Sequence, residues 1–201
     1  MNQKQVERFF KLLAKELPVP ATVILTGAAA GSLWGHFRPS VDIDFAMGPS
    51  RQDARTWRVI EQAIEKTVRL TGIPAHYAKD IDRWGAISLL DYRVHTLFYR
   101  RFGKLTVRLL DPRYWTIGKV SRFLDPDIRD LVAVLQRRKI SVLSLVRVWG
   151  KALRASPPST ACLQFKTQAE SFLKLHGRAI WGRGFDPEAA IRRFHRAAGL
   201  G

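Results

Sequence analysis

Residues 25–47 read LTGAAAGSLWGHFRPSVDIDFAM: the end of an apolar strand, a turn of small residues, a short helical run, and a second strand carrying Asp42 and Asp44. A carboxylate inside a protein is costly unless something pairs with it, so two of them in a half-buried strand need a physical reason. Strand side chains alternate between faces, which puts Asp42 and Asp44 on one face and Val41, Ile43 and Phe45 on the other. Two carboxylates a few ångströms apart repel each other unless a divalent cation bridges them, and oxygen-only ligation suits Mg²⁺. The turn at Gly27 adds backbone N–H groups and a helix start, which together favour a phosphate. The other reading of the pair is an ion-pair anchor, with Arg38 as the nearest cation in the sequence.

Upstream, residues 6–17 show helical spacing of Phe9, Phe10, Leu12 and Leu13, stopped by Pro18 and Pro20. Residues 21–26 (ATVILT) form a short β-branched run of the kind that becomes a central strand buried on both faces. Downstream of the strand at 40–47, a helix is expected over 51–70, ended by Gly72 and Pro74. Strand-like segments follow near 75–78 and 85–90, and then a hairpin over 94–110 that turns at Gly103 and Lys104. From Tyr114 the pattern is helical: a segment through Lys119, then 127–137, 142–153, 161–175 after the Pro157–Pro158 break, and a last helix after Asp186 and Pro187. This order predicts an α/β (α+β) fold, a small mixed β-sheet core followed by an α-helical region. The expected domains are 1–111 and 112–201. There is no internal repeat and no low-complexity tract.

The 201 residues hold 34 Lys and Arg against 17 Asp and Glu, a formal net charge of +17, and the pI is about 10.9. Such an imbalance points to a polyanionic partner, either nucleic acid or an acidic protein. From Arg137 onward, 13 basic residues face only Glu170, Asp186 and Glu188, which makes the C-terminal third the expected docking surface. No run of 18 apolar residues exists, and the amphipathic start carries acidic residues and no cleavage site. The expectation is a cytoplasmic protein without a membrane span or signal peptide. The single cysteine, Cys162, excludes an internal disulfide and any cysteine-rich metal site, and its flanks read as those of a buried small hydrophobe. His76, His95, His176 and His195 lack metal-ligand spacing along the chain. Trp149 and Trp181 lie in basic surroundings, but their first reading is helix packing rather than a base-stacking platform.

Residues 25–45 resemble the signature of the polymerase β-like nucleotidyltransferase superfamily, in which a strand, a small-residue turn, a short helix and a DxD strand form the active centre. The similarity is greatest to the bacterial families grouped with AbiEii-type toxins, through Gly27–Ala28, Ala30, Gly35, Arg38, Ser40 and Asp42-Ile43-Asp44. A second block, residues 109–135, looks like the family's segment with a Lys and two helically spaced Asp residues, here Lys119, Asp127 and Asp130. The resemblance covers residues 21–135. It implies a transfer of a nucleoside monophosphate from an NTP, with Mg²⁺ or Mn²⁺ on Asp42 and Asp44. Gly27, Ala28, Arg38, Ser40 and Lys119 would lie around the nucleotide. The acceptor would be a hydroxyl of RNA, such as tRNA, or of a protein, and an acidic antitoxin would be the partner if the chain is a toxin. Arg38 would hold triphosphate or neutralise the Asp pair; Lys119 would meet a phosphate, or else Asp127 or solvent.

Two features depart from that pattern. Ala28 stands where Gly or Ser is usual and adds a methyl group where backbone would approach phosphate. The third carboxylate of metal-dependent members has Asp91 as its weak candidate, with Asp80 and Asp82 also near. Aligning the strand from Ala75 instead puts His76 or Tyr77 at that position. A catalytically inactive module that binds nucleic acid through its basic face is the alternative function.

Overall fold

The computed structural model describes residues 1–35, 41–50 and 53–200. In chain order the elements are α1 (Gln3–Glu16), β1 (Ala21–Leu25), α2 (Gly27–Leu33), β2 (Ile43–Pro49), α3 (Ala54–Thr71), β3 (Ala75–Ala78), β4 (Arg83–Trp84) and β5 (Ile87–Ser88). They continue with β6 (Thr96–Phe102), β7 (Leu105–Leu110), α4 (Pro112–Arg122), α5 (Asp125–Arg137), α6 (Val142–Arg154), α7 (Thr160–Trp181) and α8 (Pro187–Ala198). By their contacts they form two compact units, one of residues 1–81 with 93–110 and one of residues 82–92 with 111–201. The expected mixed sheet and C-terminal helices are both present. The segment 82–92, which the linear reading counts with the sheet domain, packs with the helices.

The first unit is built on a five-stranded sheet of order β3-β2-β1-β7-β6. The run ATVIL takes the middle place because its β-branched side chains tolerate burial on both faces. It pairs antiparallel with β2, Leu25 opposite Phe45, and parallel with β7, Leu25 opposite Leu109. A whole helix, α3, separates β2 from β3, long enough for a parallel crossover. That helix is capped by Asp53, which accepts from the Thr56 N–H at 2.7 Å, and it ends at Gly72 with φ +69°, a conformation that glycine adopts without a Cβ penalty. Amphipathic α1 packs on α3 and buries Val6, Phe9, Phe10 and Leu13. Phe10 meets Phe45 of β2 edge-on at 5.7 Å between ring centres. Phe45 in turn stacks on Tyr77 of β3 at 6.1 Å. This aromatic column fixes β2 against β3.

The second unit is a helical bundle whose core centres on Trp149, Phe165, Phe172 and Phe194, all fully buried. The Trp149 indole N–H donates to Thr116 Oγ1 at 2.8 Å, and that of Trp181 to the Ile140 carbonyl at 2.8 Å. Both rings pack within the bundle, Trp149 fully buried and Trp181 half-buried, which is the first reading despite their basic surroundings. The β4–β5 hairpin rests Trp84 on Gly118 of α4, where a side chain would meet the indole at 2.6 Å. Cys162 departs from its expected burial. It is half-buried, and its thiol lies 3.2 Å from the Pro157 carbonyl. No helix among the described residues is long and apolar enough to cross a membrane.

Candidate metal centre

The centre lies where β1 ends and β2 and β3 begin. The Thr26 N–H donates to the Asp44 carbonyl at 2.9 Å, which holds the start of β2 beside the turn into α2. Gly27 has φ +62°, and a Cβ built on it would lie 2.0 Å from Asp44 Oδ2. The Asp44 carboxylate thus occupies space that only a glycine leaves open. The Ile43 N–H donates to the Pro74 carbonyl at 2.9 Å, and the parallel ladder then pairs Asp44 with His76. Asp42 precedes β2, which starts at Ile43 rather than at residue 40, and Val41 is exposed. Ile43 and Phe45 point into the core, which leaves the two aspartates on the opposite, half-open side.

His76 Nδ1 lies 3.3 Å from Asp42 Oδ2 and 3.5 Å from Asp44 Oδ1. One donor atom from each of the three residues falls within 4.8 Å of the others. The separations from the ring nitrogen are longer than the usual hydrogen bond. They are close to the spacing of neighbouring donors around a single ion, roughly 3–3.4 Å for ligand bonds near 2.1 Å. The carboxylates are about one-third exposed and the imidazole is 71% exposed, so a solute can reach the centre past His76. Two carboxylates and one imidazole fit a divalent cation. They shift its expected identity from Mg²⁺, which prefers oxygen alone, toward Mn²⁺ or another ion that accepts nitrogen.

His76 is the residue that spacing along the chain does not point to, because the ladder between β2 and β3, and not the distance in sequence, brings it to Asp44. The signal that could find it is the alignment of the strand from Ala75, which sets His76 or Tyr77 in the third donor position.

The other expected site residues are distributed as follows. Gly27 and Ala28 begin α2, a helix of only seven residues, whose dipole is correspondingly small. Arg38 and Ser40 lie outside the described residues. Asp91 belongs to the second unit, exposed and with φ +50°. Lys119, also of the second unit, is 2% exposed, and its ammonium donates to Asp127 Oδ1 at 2.9 Å and Asp130 Oδ2 at 2.7 Å. Arg122 adds a forked contact to Asp127 at 2.8 and 3.0 Å. Burial opposes the charge on Asp127, but the hydrogen bonds from Arg122 and Lys119 outweigh it and hold the carboxyl below its ordinary range. Asp127 and Asp130 therefore anchor Lys119 in the bundle. Among the described residues of the first unit, the third possible donor beside Asp42 and Asp44 is His76. Searches against protein-family models, curated proteins and solved structures return no match for this chain.

Proposed function

We propose that the first unit is a metal-dependent nucleotidyltransferase centre that moves a nucleoside monophosphate from an NTP to a hydroxyl of RNA or protein, in the cytoplasm, where both are supplied. The observation that carries this reading is the convergence of Asp42, Asp44 and His76 beside the Gly27 turn. The three residues would hold a divalent cation, which when bound would neutralise triphosphate charge and lower the pKa of an attacking hydroxyl. The protein's own part is positional. The β1–β2–β3 ladder sets the donors, Gly27 keeps the Asp44 carboxylate against the turn, and the exposed side at His76 admits the nucleotide. A toxin held in check by an acidic antitoxin is consistent with the net charge of +17.

A second reading, an inactive module that binds nucleic acid, is favoured by one observation. An imidazole stands where metal-dependent members of the resembled family carry a third carboxylate. One experiment separates the two. Purified protein is incubated with Mn²⁺ or Mg²⁺, each α-labelled NTP and total RNA or protein, beside Asp42→Asn and Asp44→Asn. Label incorporated by the wild type and lost in both variants supports transfer. Label that persists in the variants rejects the assigned centre. Absence of label, with Mn²⁺ bound by the wild type alone, selects the second reading.

A further inference from the structure

Helix α6 carries Arg147, Lys151 and Arg154 at spacings of four and three residues, a single stripe along one face. Helix α8 carries Arg193 and Arg196, three apart. The two rows border one groove of about 800 Å³ in the second unit. Small residues bring the rows together. A Cβ on Gly150 would lie 2.5 Å from that of Ala197, so the two backbones approach closely there. The rest of the lining is aliphatic: Leu90, Leu143, Val146, Ala155 and Ala197.

All five cations are exposed, and among the described residues no carboxylate lines the groove and none of the five head groups has a carboxylate partner. The acids after Arg137 are engaged elsewhere. Glu170 takes Lys166 at 2.7 Å and His195 at 2.6 Å, Glu188 faces Lys174, and Asp186 caps α8 through the Ala189 N–H. Five like charges around one concavity repel each other, and an anion relieves that repulsion.

We propose that the α6–α8 groove binds the phosphodiester backbone of single-stranded RNA. Four of the five cations are arginines, whose forked N–H donors match phosphate oxygens and whose planes stack on bases. An acidic amphipathic helix would carry as much charge, but helix-in-groove docking relies on large apolar anchors entering pockets. Here five cations stand against five aliphatic residues, none of them aromatic, so charge is the groove's dominant feature. A groove between two helices admits one strand rather than a duplex, and without aromatic rings or amide side chains on its walls it reads charge, not sequence. The choice of RNA rests on the proposed acceptor, whereas the binding itself needs neither metal nor turnover.

The test is anisotropy of a labelled 12-residue oligouridylate with the full chain in EDTA, across a range of KCl concentrations. Five phosphate contacts predict a log–log salt slope of about −3.5, or roughly a hundredfold loss between 50 and 200 mM salt. Changing Arg147, Lys151, Arg154, Arg193 and Arg196 to Gln should flatten that slope and weaken binding more than thirtyfold at 50 mM. A control with Arg137, Arg138, Lys139, Arg178 and Arg183 changed to Gln, all exposed, removes the same charge outside the groove and should cost less than threefold. Equal weakening in both variants would reduce the surface to diffuse charge and overturn the proposal. So would unchanged binding in the groove variant, or polyglutamate competing as well as unlabelled RNA at equal charge, which would point to an acidic protein. Loss of groove binding leaves the transfer reading standing, and failed transfer with intact groove binding leaves this one standing.

Discussion

Gly27→Ala tests the metal centre through its backbone rather than its ligands. The new Cβ would start 2.0 Å from Asp44 Oδ2, 2.8 Å from its Cγ and 2.9 Å from its Cβ, at φ +62°. Two costs follow. An L-residue in the left-handed region loses about 1–2 kcal/mol. The carboxylate must also retreat by about 1.4 Å to reach ordinary contact at 3.4 Å, and holding a side chain off its rotamer costs about 0.5–1.5 kcal/mol more. The two are separated by a double-mutant cycle with Asp44→Gly, which removes all three clashing atoms. Urea melts should show Gly27→Ala costing about 1.5–3.5 kcal/mol in the wild type, but only the backbone part in the Asp44→Gly background. Mn²⁺ binding, read from the spin resonance of the free aqua ion, should weaken at least about tenfold in Gly27→Ala, because a displaced ligand no longer meets the other two. An equal cost of Gly27→Ala in both backgrounds, with unchanged Mn²⁺ affinity, would refute the reasoning.

Three further outcomes are expected. Lys119→Met removes the buried ammonium shared by Asp127 and Asp130, leaving Asp127 its contact with Arg122, and should cost about 3–5 kcal/mol in urea melts, partly recovered by adding Asp127→Asn and Asp130→Asn; a neutral effect on stability with weakened NTP binding would instead make Lys119 a nucleotide ligand. Tyr99 is half-buried and donates to Glu7 Oε1 at 2.5 Å, and burial followed by that hydrogen bond pushes its pKa up to about 12. The stability it lends is therefore full below its unfolded pKa of about 10 and lost as pH rises through about 12, so phenolate absorbance should lag behind free tyrosine and Tyr99→Phe should shorten the lag, leaving the part due to Tyr77 and Tyr114, which burial also raises. Asp127 and Glu170 both titrate below their ordinary ranges, burial being outweighed by cationic hydrogen-bond donors. Their contribution is present above those ranges and lost as pH falls through them, so the urea midpoint followed by tryptophan fluorescence should drop between about pH 5 and pH 3; a flat midpoint would contradict it.

Much of the fold follows from local signals. Gly72 ends α3, Gly103 turns the β6–β7 hairpin, and Asp111 caps α4 at the change from sheet to helices, accepting from the Arg113 N–H at 2.9 Å. These are short-range events that the residues themselves enforce. The segment 82–92 is of another kind. Its two strands have two residues each, too short to bury a face, and what places it is Trp84 lying on Gly118, thirty-four positions away. His76 is reached in the sequence only as one of two alignment positions, and not as a ligand, for the same reason. Ligand-spacing rules work within one element, whereas Asp44 and His76 meet only after α3 has carried the chain into a parallel ladder. The aspartate pair is visible in sequence because both members lie on one strand, but its third donor depends on strand order.

Charge behaves in the same way. The first unit has 16 Lys and Arg against 8 Asp and Glu and the second 18 against 9, so net charge alone would assign a polyanion to either. What marks out the groove is where the ion pairs fall. In the first unit the acids are spread among the cations, with Arg100 on Glu7, Lys66 on Glu16 and Arg93 on Asp80. In the second, Asp127 and Asp130 are sealed in the bundle with Lys119, and Glu170 holds Lys166 and His195 away from the groove. These acids are thereby engaged by cations other than the five of α6 and α8. A fold that needed only solubility gains nothing from setting five exposed, like-charged groups around one concavity, since exposed charges repel less when dispersed. Their convergence is what an anionic strand would exploit, and it is why the groove, rather than the overall charge, identifies the surface to test.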